Sequence, residues 1–74
     1  MTLGESRVRT SFNPSADSKV DEVKKLTANL IDICAELKND SGVSGEEARL
    51  YSLAMTAYEE AAMWSVKALT INKT

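Results

Sequence analysis

Histidine is absent from this 74-residue chain, cysteine and proline occur once each, glycine three times, and aromatic residues make up only 5% of it. Without an imidazole there is neither a histidine general base nor a histidine metal ligand. The lone Cys34 can close no intrachain disulfide and build no thiolate cage. Lying on an apolar stripe with no histidine to activate it, Cys34 is expected to be a small core residue. Glu59 and Glu60 are sequence neighbours, so on a helix they point about 100° apart and make no facing carboxylate pair. They are expected on a solvated face. No catalytic residue, metal or cofactor is therefore expected, and the chain is not expected to be an enzyme. No apolar run approaches the ~20 residues needed to cross a bilayer, and no signal-peptide pattern is present. A single free thiol fits a reducing cytoplasm.

Charge of one sign is also in short supply. The net charge is −2, which gives no whole-molecule attraction to DNA or to an anionic membrane. The distribution is uneven. Residues 1–30 carry five cations against four anions, a balance of +1, and residues 31–74 carry four against seven, a balance of −3. An anion site is expected toward the N-terminal half.

What the chain does contain is helix-forming sequence, 43% hydrophobic and 27% charged. Residues 1–17 read as a polar N-terminal segment ending in the turn Phe12-Asn13-Pro14-Ser15, because Pro14 pushes Asn13 out of the helical region. Residues 18–74 read as one domain, a hairpin of two long antiparallel helices. The first starts near Ser18, with Asp21 three residues on. Val20, Val23, Thr27, Leu30, Cys34 and Leu37 recur at helical spacing, and Leu26, Ile31 and Ile33 widen the stripe. Lys38-Asn39-Asp40-Ser41-Gly42 ends it. Ser44 and Glu47 form a capping box for the second helix, which should run to about Leu69. Leu50, Ala54, Ala57, Ala61, Trp64, Ala68 and Ile71 form a heptad seam, while Tyr51, Met55, Tyr58, Ala62, Val66 and Leu69 line an adjacent face. One partner helix cannot cover both stripes. A domain this small with no disulfide or metal is expected to self-associate.

Binding chemistry gathers at the N-terminal side. Arg7 and Arg9 bring guanidinium donors beside the aromatic Phe12 and the amide of Asn13. An aromatic ring can stack on a nucleobase, and Asn can read a base edge. Lys24 and Lys25 can neutralise phosphate. The plainer reading is that Phe12 staples the chain to the hairpin and the arginines are surface charge. Tyr58 and Trp64 fit core or subunit interface as well as a ligand platform. Lys67 fits a charge complementing the helix dipole or a group pointing into a shared pocket.

Two stretches carry a resemblance. Phe12-Asn13-Pro14-Ser15 leads into a helix. Ala48-Arg49-Leu50 leads through Leu53-Ala54 and Tyr58-Glu59 to Ala61-Ala62-Met63-Trp64-Ser65-Val66-Lys67-Ala68. From about Arg7 to Thr70 the chain resembles the hairpin domain shared by phage anti-CBASS and anti-Thoeris sponge proteins, and its size is closer to the anti-CBASS branch. The resemblance implies an all-α homo-oligomer, typically a hexamer, acting in the cytoplasm of the infected bacterium. It implies binding of cyclic dinucleotides between subunits and of cyclic trinucleotides at separate sites, so that immune effectors stay switched off. For the dinucleotide it implies Phe12 stacking on a base, Asn13 in the contacting turn, and Lys24 or Lys25 pairing with phosphate, with Arg9 nearby. For the trinucleotide it implies Lys67 and Thr70 with Asn13. Two other readings stay open: a helical oligomerisation or adaptor module without a nucleotide, and a sponge for the cyclic ADP-ribose-type signal of Thoeris defence.

Overall fold

The structure, a computed structural model, describes residues 2–8 and 18–71. Three helices follow in order: α1 Leu3–Val8, α2 Ser18–Lys38 and α3 Gly45–Thr70. All regular structure among the described residues is helical. The two long helices match the expected hairpin. The six-residue helix α1 lies inside the stretch expected to be only a polar segment.

Local chemistry explains each boundary. At α1, the Thr2 amide donates to Glu5 Oε1 at 2.9 Å and the Glu5 amide donates to Thr2 Oγ1 at 3.0 Å. This reciprocal pair satisfies two amides that have no intrahelical acceptor. At α3 the expected box is present: the Glu47 amide donates to Ser44 Oγ at 3.1 Å and the Ser44 amide to Glu47 Oε1 at 3.3 Å. Between α2 and α3 the chain turns through Gly42, whose φ of 87° suits a residue with no Cβ. The Asn39 amide still reaches back to the Ala35 and Glu36 carbonyls, both at 3.2 Å, and so closes the last turn of α2.

The core is thin. Val8, Ala28, Ile31, Cys34, Met55 and Ala62 form one buried cluster, with Ala35, Tyr51, Ala54 and Tyr58 packed against it. Ile31 is completely buried. Cys34 is buried and free, as expected for a small core residue. The α3 face turned inward is the Tyr51, Met55, Tyr58, Ala62, Val66 and Leu69 face. The heptad seam instead faces outward: Leu50, Ala57, Ala61, Trp64, Ala68 and Ile71 are exposed, with Ala54 half-buried. On α2, Leu26, Leu30, Ile33 and Leu37 are likewise exposed, although Leu30 and Leu37 belong to the stripe expected to seat the helix. Spaced by four, three and four, these residues form a second open apolar line. The smallest dimension of the molecule is 13 Å, close to one helix diameter. A slab that thin leaves each long helix a face that the other described residues do not cover.

Candidate functional site

The site begins with how α1 is held. Gly4 is buried against Ala28 of α2, where a Cβ would overlap the Ala28 carbonyl group. One turn further along α2, Asp32 Oδ1 accepts a hydrogen bond from the Gly4 amide at 2.8 Å. Glycine permits the close approach and the carboxylate satisfies an amide at the start of the helix. Val8, at the other end of α1, enters the core. These contacts fix α1 against α2.

So placed, α1 forms the third wall of a cleft of about 560 Å³, within the usual size of small-molecule sites. Arg7 and Val8 come from α1, Lys24 from α2, and Thr56, Glu59, Glu60, Ala62, Met63 and Val66 from α3. The cleft joins an apolar lining to charges of opposite sign on different elements. Lys24 is only 7% exposed. Nη1 of Arg7 is sealed from solvent and has no hydrogen-bond partner among the described residues. Glu59 is half-buried, while Glu60 is exposed and its Oε1 accepts from Trp64 Nε1 at 3.3 Å. The expected solvated face therefore holds for Glu60, which is exposed, and only in part for the half-buried Glu59; both line the cleft.

The residues expected to bind ligand separate into three groups. Lys24 lines the cleft, whereas its neighbour Lys25 is exposed and does not. Lys67 and Thr70 lie on the last turns of α3 and do not line the cleft. The Lys67 ammonium sits over the Trp64 ring, 5.6 Å from its centroid, a cation–π arrangement. The Thr70 hydroxyl donates to the Val66 carbonyl at 2.8 Å. Arg9, Phe12 and Asn13 lie outside the described residues. Sequence reasoning did not bring Glu59 to the cleft or α1 to its wall. The available signal for α1 was Thr2-x-x-Glu5, a capping box in its own right.

No group of three or more histidine, cysteine, aspartate or glutamate side chains able to hold a metal occurs among the described residues. No described helix is long and apolar enough to cross a membrane. A helical hairpin whose cleft joins apolar side chains to Arg7 and Lys24 has the form of a small-ligand-binding scaffold. Residues 4–70 match the family described as Acb2/Tad1, hairpin domain. The chain belongs to that family, whose members are phage anti-defence sponges for cyclic nucleotide signals rather than enzymes. The match takes in α2 and α3 whole and all of α1 but Leu3. Comparison with curated proteins and with solved structures gives no match.

Proposed function

We propose that the protein is a homo-oligomeric sponge, assembled as a hexamer, that sequesters cyclic dinucleotides and cyclic trinucleotides in the cytoplasm of an infected bacterium and so keeps CBASS effectors inactive. Family membership across residues 4–70 is the observation that carries this reading. Phe12 stacks on a base and Asn13 contacts the ligand. Arg9 and a helix α2 lysine neutralise phosphate, and Lys24 is the better candidate because it lines the cleft whereas Lys25 faces solvent. Lys67, Thr70 and Asn13 serve the trinucleotide. Self-association is supported by the uncovered stripes on α2 and α3, since contiguous exposed apolar surface marks an interaction face. A two-fold contact between copies offers the two halves of a cyclic dinucleotide the same residues.

A sponge must outcompete the effector, and a nanomolar dissociation constant corresponds to about −12 kcal/mol. Isothermal titration with 3′,3′-cyclic GMP-AMP, beside light scattering for assembly mass, tests the proposal. Tight binding at fewer than one ligand per chain supports a shared intersubunit site. Heat with cyclic ADP-ribose isomers alone favours the Thoeris-type signal. No heat with either, or with cyclic tri-adenylate, overturns the sponge reading in favour of a helical adaptor.

A further inference from the structure

We infer that Arg7 is a phosphate-binding residue of the α1–α2–α3 cleft, a guanidinium held ready for an anionic ligand. This rests on the sponge reading and adds to it a residue from helix α1.

A guanidinium keeps its charge at every accessible pH and carries five N–H donors. Burial normally requires each such donor to find an acceptor. Nη1 of Arg7 is closed off from solvent and has none among the described residues. The nearby acids do not supply one: Glu59 and Glu60 line the same cleft, yet Nη1 bonds to neither. Lys24, almost fully buried, adds a second positive charge to the cleft lining. Helix α1 is not loosely placed, because Gly4 and Val8 both anchor it. Arg7 lines the cleft, so an acceptor seated there can approach its guanidinium, and Nη1 has no competing acceptor among the described residues.

The chemistry of that acceptor follows from the walls. A planar fork of donors suits an oxyanion with two adjacent oxygens, such as a phosphodiester. The carboxylates on α3 repel a phosphate, which sets it toward Arg7 and Lys24. Val8, Ala62, Met63 and Val66 supply apolar surface in the same cleft, suited to the faces of a nucleobase. The cleft thus fits a phosphate joined to a flat, largely apolar group.

The test compares wild type with Arg7→Gln and Arg7→Lys, after circular dichroism and light scattering establish unchanged fold and mass. Arg7→Gln is expected to weaken 3′,3′-cyclic GMP-AMP binding by at least about tenfold, and Arg7→Lys by less, since an ammonium keeps the charge but not the fork. Should Arg7→Gln fail to fold, Arg7→Lys carries the comparison, with a loss of about threefold or more expected. In parallel, inorganic pyrophosphate is expected to raise the melting temperature of wild type and not of Arg7→Gln. A dinucleotide affinity unchanged in both variants overturns the assignment. If wild type binds no cyclic dinucleotide but shows the Arg7-dependent pyrophosphate shift, the sponge reading fails and the Arg7 anion site stands. If wild type responds to neither, both fall.

Discussion

The Gly4 amide and the Asp32 carboxylate, 28 residues apart, meet in a hydrogen bond of 2.8 Å, and this bond with the Gly4–Ala28 contact holds α1 on the hairpin. Asp32→Ala removes the acceptor and leaves the Gly4 amide without a partner, at a cost of about 1–3 kcal/mol. Gly4→Ala places a methyl group into the Ala28 carbonyl and forces α1 to shift. Both variants are expected to lose hydrogen-exchange protection in residues 3–8 while α2 and α3 stay protected. Full protection of α1 in Gly4→Ala would show that the contact does not hold the helix.

Ser44→Ala removes the acceptor for the Glu47 amide at the start of α3. Loss of an N-cap costs roughly 1 kcal/mol. For a domain of this size, that lowers the melting temperature by about 4–8 °C, measured at fixed protein concentration because assembly raises apparent stability. A shift below a degree would mean that assembly, not the cap, sets where α3 begins.

The cap contrasts with α1 in how much of the molecule a reader of the residues alone could see. Ser44…Glu47 is a local signal, and the hairpin, its turn and both long helices follow from such signals and from apolar spacing. Thr2…Glu5 is an equally local signal, but a six-residue helix is marginal without tertiary contacts. Its contacts depend on an absent Cβ at Gly4 meeting one carbonyl on α2, which no spacing rule reveals. The choice between Lys24 and Lys25 has the same character. Adjacent residues on a helix differ by about 100°, and only the position of α1 decides which of them faces a cleft. Which α3 stripe turns inward is not decided by spacing, because both are helical; the inner face is the one that carries Tyr51, Met55 and Tyr58. Trp64, with its indole N–H bonded to Glu60, was left on the seam, 55% exposed.

The open stripes make assembly testable by mass alone. Leu30→Glu with Leu50→Glu places a charge on the uncovered line of each long helix. The pair is expected to reduce the mass seen by light scattering from a multiple of 8.1 kDa toward the single chain. An unchanged mass would move the subunit contact to another face.

Phe12→Ala is expected to abolish cyclic dinucleotide binding and leave the assembly mass intact, since base stacking on an aromatic ring contributes ~1–3 kcal/mol per base. Lys67→Ala is expected to weaken cyclic trinucleotides more than dinucleotides. Equal loss of both ligands in Lys67→Ala would show one shared site in place of two.

The charge asymmetry of the cleft yields the last expectation. Lys24 and Glu59 line it from α2 and α3, and a phosphate set between them is attracted by one and repelled by the other. Lys24→Gln should therefore weaken 3′,3′-cyclic GMP-AMP, whereas Glu59→Gln, which keeps the shape and removes the negative charge, should tighten it by about two- to fivefold, the size of a partly solvated charge interaction. Raising the salt concentration should shrink both effects, because screening acts on attraction and repulsion alike. Lys25→Gln is the internal control, since Lys25 is exposed and does not line the cleft. Should Lys25→Gln weaken binding as much as Lys24→Gln, long-range attraction to the N-terminal half would account for the lysine effect. If Glu59→Gln lowers affinity, the carboxylate is accepting hydrogen bonds from the base, and the ligand lies with its nucleobase, not its phosphate, against α3.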